Sequence, residues 1–188
     1  AQLIENKKKF IIIGNKNAIT YNDIFRLIQK EKLWLGFRNI NQDMWFIVPE
    51  HYDCEKVVNG LRLKHIMGCW FTNIDITKRH EYLTLYKNYT SKDYQNYVNY
   101  DAIEVSKVAD IPYDYDGEMG VPITFLDKYN PDQFEILGSS RFLGKPMSEI
   151  AKKGTYVSGG MSFYLSNGDG TFQRLYYRIV IKRKGAGK

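Results

Sequence analysis

The chain has 188 residues, 44% hydrophobic, 26% charged and 15% aromatic, enough apolar material for one globular domain or two small lobes. Lys and Arg number 27 against 21 Asp and Glu, a formal charge of +6 that favours anionic partners without identifying one. No run of about 18 apolar residues occurs and no signal-peptide core opens the chain, so no membrane partner and a cytoplasmic location are expected. Cys54 and Cys69 are too few for a disulfide framework and fit a reducing compartment as free thiols.

In chain order, Leu3 and Ile4 beside Glu5, Asn6 and three lysines look like the last turns of a helix whose start is expected upstream of Ala1. Phe10-Ile11-Ile12-Ile13 is a continuous apolar run stopped by Gly14, as in a strand buried on both faces of a parallel sheet. The loop Asn15 to Ile19 follows. Thr20 is then expected to cap a helix whose apolar face, Ile24, Phe25, Leu27 and Ile28, runs to about Lys32. Strand, loop and helix together make half of a crossover unit.

Leu33 to Phe37, Trp45 to Val48 and Ile66 to Phe71 read as three further strands separated by polar loops. Residues 79–100 carry six tyrosines among Lys, Asn and Asp without a sustained period, and are expected to be irregular and surface-lying. Val121 to Leu126 and Phe134 to Gly138 flank the turn signature Asn130-Pro131-Asp132 and are expected to form two short strands, with Pro122 at a strand start or edge. Met161 to Leu165 and Phe172 to Ile181 surround Asn167-Gly168-Asp169-Gly170, a hairpin signal. The basic, glycine-containing tail from Lys182 is expected to be disordered.

Several motifs bear on chemistry. His51, Cys54, His65 and Cys69 have the ligand types of a zinc site, but Cys69 lies within an apolar strand and no turn glycine surrounds Cys54, so a buried cysteine and two unrelated histidines are preferred and no metal is expected. Asp110-Ile111-Pro112-Tyr113 is similar to the Asp-Pro-Pro-Tyr tetrapeptide with which amino-group methyltransferases hold an extruded base. Its second position is Ile and no long strand precedes it, so a loop turn is the preferred reading and no catalytic residue is assigned. Gly168 and Gly170 lie in the hairpin rather than between a strand and a helix, so they are not a dinucleotide or adenosylmethionine loop.

Nucleic-acid binding is better supplied. Lys78, Arg79 and His80 lead into the tyrosine-rich stretch, interleaving cations with flat rings as phosphate contact plus stacking requires. The bland alternative is a solvated loop with tyrosines packed on the core. Arg141, Lys145, Lys152 and Lys153 form a second basic region. Asn15, Lys16 and Asn17 follow the first strand, where open α/β sheets place ligands, or they simply build the next turn.

Phe10 to Thr20, Cys69-Trp-Phe-Thr-Asn73 with Lys78-Arg-His-Glu81, Tyr100 to Val105, and Ile111 to Gly117 continuing through Gly120 to Gly138 together resemble the EcoRI-like adenine-specific DNA methyltransferases. The final strand, Leu175 to Lys182, is similar to that family's carboxyl end. The resemblance implies methyl transfer from S-adenosylmethionine to adenine N6 in a short DNA site, protecting it from a partner restriction nuclease. It also implies an adenosylmethionine-binding first half and an Asn-Pro-Pro-Phe tetrapeptide, both absent here and expected before Ala1.

The expected fold is therefore α/β: the later part of a Rossmann-like methyltransferase sheet (residues 1–72), a strand- and loop-rich DNA-contacting portion (73–181), and a basic tail (182–188). The active-site edge is placed at Asn15, Lys16 and Asn17, and DNA contact at Lys78, Arg79, His80, Arg141 and Lys145. Expected partners are duplex DNA and the missing amino-terminal half; the chain alone is expected to be catalytically incomplete and to bind no S-adenosylmethionine. A stand-alone DNA-binding or regulatory module without catalysis is the alternative.

Overall fold

The computed structural model describes residues 2–185, which separate into two compact units, up to Ile76 and from Thr77. The first unit contains α1 (Gln2–Glu5), β1 (Ile11–Asn15), a 3-10 turn (Lys16–Thr20), α2 (Asn22–Gln29), β2 (Trp34–Leu35), β3 (Met44–Ile47), β4 (Lys56–Val58), β5 (Leu61–Ile66) and β6 (Gly68–Thr72). The second contains β7 (Ile103–Glu104), β8 (Met119–Pro122), β9 (Phe134–Ser139), β10 (Tyr164–Ser166), β11 (Phe172–Arg174) and β12 (Arg178–Arg183), joined by irregular segments and short 3-10 turns.

In the first unit, β6 lies between β1 and β2 and is antiparallel to both, so β1 and β2 run parallel to each other. They are connected through α2, whose Phe25 and Ile28 are buried together with Ile19, Leu33 and Phe71. The expected crossover helix is thus present but ends at Gln29 rather than Lys32, because Glu31 takes a positive φ of 56° and turns the chain. Thr20 does not cap it: its hydroxyl donates back to the Asn17 carbonyl at 2.9 Å, and Tyr21 occupies the cap position.

The larger correction concerns β1. A strand buried on both faces of a parallel sheet was the expectation; among the described residues β1 instead pairs antiparallel with β6 alone, and Ile11 is 62% and Ile12 43% exposed. An apolar run records that a strand has apolar neighbours, not which residues provide them. The second three-stranded sheet, order β3-β5-β4, contains a hairpin missing from the sequence reading. Asn59 and Gly60 connect β4 to β5 with φ of 51° and 78°, the left-handed pair a tight hairpin turn requires.

In the second unit the four-stranded sheet has the order β7-β8-β12-β9. Val121 and Phe134 do lie on strands, but Ile123–Asp127 form a 3-10 turn instead of continuing the expected strand to Leu126, and β8 and β9 do not pair with each other, since β12 inserts between them. Pro122 ends β8 rather than starting it. Ile103, Met119, Phe134, Ile179 and Ile181 are fully buried around this sheet. The β10–β11 hairpin forms as expected. The basic tail is corrected in part: Lys182 and Arg183 belong to β12, paired with Glu135 and Phe134, and the Lys184 amide donates to the Gln133 carbonyl at 2.9 Å. Residues 186–188 of that expectation lie outside the described residues. Among the described residues, no helix is long and apolar enough to cross a membrane.

Candidate nucleic-acid interface

The residues expected at an active-site edge are the last of β1, Asn15, and the first two of the 3-10 turn, Lys16 and Asn17. The Asn15 side chain accepts the Asn17 amide at 2.8 Å, and the Lys16 amide donates to the Met67 carbonyl at 3.0 Å. Asn15 and Asn17 therefore build the 3-10 turn locally. Their edge is open: the Phe10 and Lys16 amides both point toward β6, so the alternating Ile11, Ile13 and Asn15 aim their backbone groups outward, away from β6. Beside this edge lies an apolar groove of about 520 Å³ walled by Leu3, Phe10, Ile12, Leu27, Leu33 and Phe71.

The four residues with zinc-ligand chemistry are not assembled. Cys69 is buried in β6, the His65 Nε2 lies 3.1 Å from Asp43, and His51 packs edge-on against Tyr52. No group of three His, Cys, Asp or Glu side chains among the described residues has metal-holding geometry. Asp110 to Tyr113 is a loop: the Asp110 carbonyl accepts the Tyr94 hydroxyl at 2.6 Å, Ile111 is buried, and the Tyr113 hydroxyl accepts the Asn88 side-chain amide at 2.6 Å.

In the second unit, Lys78, Arg79 and His80 form a 3-10 turn at its start. His80 is half exposed with its Nδ1 3.7 Å from Asp132, and the Arg79 Nε is shielded from solvent. Arg141 is exposed, its guanidinium 6.0 Å from the Tyr177 ring, while the backbone of Lys145 is held on both sides by Asn99.

The tyrosine-rich stretch divides into two groups. Irregular it is, but Tyr94 and Tyr97 are buried, against the surface-lying expectation, and Tyr89 and Tyr100 stack on Tyr94 and Phe163 at 5.8 and 5.0 Å. Tyr82 and Tyr86 face solvent, 68% and 78% exposed. Burial alternates along this piece, with Leu83 and Leu85 turned inward and Tyr82, Thr84 and Tyr86 outward, the period of an extended chain. Gln133 fixes it: its side-chain amide accepts from the Leu83 amide and donates to the Leu83 carbonyl, each at 2.7 Å. Lys78, Glu81, Tyr82, Tyr86, Asp127 and Lys128 surround a groove of about 380 Å³ at this place.

Elsewhere in the second unit, the sequence reading missed a buried ionic network. Glu104, almost fully buried, receives two Arg178 nitrogens at 2.8 to 3.1 Å, the Ser106 hydroxyl at 3.1 Å and the Tyr97 hydroxyl. Burial and the neighbouring Glu104 charge push the Tyr97 phenol far above its ordinary range, and burial pushes Tyr177 up to about 12. A phenol that ionises later in the folded state than in the unfolded one stabilises the fold below the ordinary tyrosine pKa of about 10, and that contribution is lost as pH climbs above it. Urea midpoints are therefore expected to fall between about pH 9 and pH 11, and to fall less in Tyr177→Phe.

Comparison with known proteins places the chain. A family model described as "Adenine-specific methyltransferase EcoRI" matches residues 1–184. The chain is 48% identical over 191 residues to the type II methyltransferase M.EcoRI of Escherichia coli, covering 97% of this chain and 52% of the relative. It is 35% identical to M.MpnI of Mycoplasma pneumoniae and 34% to M.MgeORF184P of Mycoplasma genitalium, both type II methyltransferases, over 97% of this chain and 59% of each relative. The chain thus spans between half and three-fifths of the length of the curated relatives it matches. No solved structure matches it. With its match running through nearly every residue, the chain belongs to the EcoRI adenine-specific methyltransferase family.

Proposed function

We propose that this chain is the carboxyl-terminal portion of an S-adenosylmethionine-dependent adenine-N6 DNA methyltransferase of a restriction–modification system, completed by an amino-terminal half outside the sequence. One observation carries the reading: the open edge of β1 and the adjoining apolar groove, in a chain that spans 52% of its relative's length. A solvated row of unpaired backbone groups flanked by exposed isoleucines is a template for another strand. In this reading β1, α2 and β2 are the last crossover of a Rossmann-like sheet, and a further strand lies against Ile11, Ile13 and Asn15. Asn15 to Asn17 then border the catalytic tetrapeptide.

The described residues do not fit the methyl donor itself. Gly168 and Gly170 lie in the loop of the β10–β11 hairpin, and the turn after β1 runs Asn15-Lys16-Asn17 into a 3-10 helix without a glycine. Neither is the glycine-rich strand-to-helix turn that cradles a nucleotide-like ligand. The donor pocket is accordingly assigned to the other half.

Duplex DNA is the proposed substrate, contacted by Lys78, Arg79, His80, Arg141 and Lys145. Affinity should fall with salt at a log–log slope of roughly −0.9 per phosphate contact, measured on duplexes with and without a candidate site. Sequence preference by this chain alone would favour the alternative of a self-sufficient module. The direct test is complementation with a separately produced amino-terminal half, followed by amide hydrogen exchange. Association with slowed exchange at Ile11 and Ile13 is expected; association that leaves those amides fast, or no association, contradicts the proposal.

A further inference from the structure

Within the first unit, the sheet β3-β5-β4 has no core of its own: Met44 is the only buried residue in its three strands. Strand pairing puts Phe46, Val57 and Ile66 on one face and Trp45, Ile47, Val58 and Leu61 on the other. Val57 is 58% and Ile47 66% exposed, so apolar side chains meet water on both sides, whereas a small sheet needs a covered face to be stable. The two faces differ in what they adjoin. Trp45 is screened by its own neighbours, with Lys56 3.5 Å from the ring centre and the His65 ring 5.2 Å away. The face of Phe46 and Val57 instead runs on to β1, because Ile66, Met44 and Ile13 converge within 3.4 Å of the point where a Gly68 β-carbon would stand.

The cations on that face are already engaged: Arg62 donates to the Tyr52 carbonyl at 2.8 Å, and the Lys64 amine lies 2.8 Å from Asp53 and 3.4 Å from Glu55. Between Asp43 and Ile66 the chain carries four acidic side chains against three Lys and Arg, in a protein whose formal charge is +6. A phosphate backbone gains little from such a surface, whereas apolar polypeptide gains by covering it. Nearly half of M.EcoRI lies outside the matched region, since this chain covers 52% of it. We infer that the β3-β5-β4 sheet is an interface for the amino-terminal half of the methyltransferase, which packs on Phe46, Val57 and Ile66 and continues onto Ile13 of β1. The inference rests on the completion proposed above and extends it from the β1 edge to a surface that strand addition alone does not cover.

The test joins these 188 residues to the amino-terminal half of a full-length relative and compares that protein with the 188 residues alone. Val57→Cys and Ile47→Cys, both at exposed positions, are labelled separately with a maleimide, and peptide mass spectrometry separates the new thiol from Cys54 and Cys69. Labelling at position 57 should slow by about 10-fold or more in the joined protein, the factor for a face covered in at least about nine-tenths of the molecules, while labelling at position 47 keeps its rate. Equal rates at position 57 in the two proteins overturn the inference, as does equal slowing at both positions. A position 57 already slow in the 188 residues alone and freed by dilution gives the face to a second copy, and one slowed only by added duplex gives it to DNA; either result also overturns the inference. The two readings fail separately: slow amide exchange at Ile11 and Ile13 with position 57 still fast removes this interface alone, whereas fast amides with position 57 protected remove strand addition at β1 alone.

Discussion

Glu104→Ala is expected to destabilise the second unit by about 3–5 kcal/mol, because it leaves a buried charge without its counter-ion. Arg178 keeps only 13% of its side chain exposed and directs three of its hydrogen bonds at Glu104. Glu104 sits on β7 and Arg178 on β12, so their pairing crosses β8, which lies between them in the sheet. The Tyr97 hydroxyl loses its carboxylate partner in the same substitution. Chemical denaturation is the measurement. A double variant replacing both ions with apolar residues of similar volume should recover much of the loss, since removing a buried pair together spares the orphaned charge. A single variant as stable as the parent would show that water reaches this site and that the pair contributes little.

The second large effect is expected at Gly120, which pairs with Glu104 on one side of β8 and Val180 on the other. A β-carbon there would stand 1.9 Å from the Tyr97 hydroxyl oxygen and 2.7 Å from its ring. The ring is packed against Phe163 at 4.5 Å and cannot move without opening the core. Gly120→Ala is therefore expected to cost about 3 kcal/mol, at the upper end of ordinary overpacking. In a Tyr97→Leu background, where the clash disappears, the same substitution should cost far less, and the double-mutant cycle reads that coupling directly. Additive losses would place the damage in the strand rather than against Tyr97.

These two sites also mark where the sequence was silent. Glu104 and Arg178 are 74 positions apart, and no local pattern announces that a carboxylate and a guanidinium will share one buried pocket. Local signals did better. The crossover through α2 and the hairpin around Asn167 to Gly170 were legible because a 3.6-residue apolar face and turn glycines are set by neighbours in the chain. Asn59-Gly60 carried an equally strong hairpin signal that the polar composition of Arg62 to His65 obscured. Partner identity was harder: Ile11 to Ile13 announced an apolar environment, but not that the described chain would supply only one neighbouring strand. The alternation Tyr82-Leu83-Thr84-Leu85-Tyr86 was visible, yet too short to stand out from a stretch with no sustained period. Which tyrosines turn inward depends on Gln133 and Phe163, residues far along the chain.

The basic residues show a similar limit. Lys78, Arg79 and His80 were identified as a cluster, and the structure places them on one 3-10 turn, but His80 also lies beside Asp132 and the Arg79 Nε is turned from solvent. Charge counted along a sequence cannot distinguish a cation facing a ligand from one engaged by its own fold.

The central proposal is that methyl transfer depends on residues other than those the structure describes. Its most direct measurement is transfer of radiolabelled methyl from S-adenosylmethionine to duplex DNA, by these 188 residues alone and by the same residues extended with the amino-terminal half of a full-length relative. No incorporation by the first and site-dependent labelling of adenine N6 by the second is the predicted result. Labelling by the short chain on its own, or none by the extended one, would contradict it.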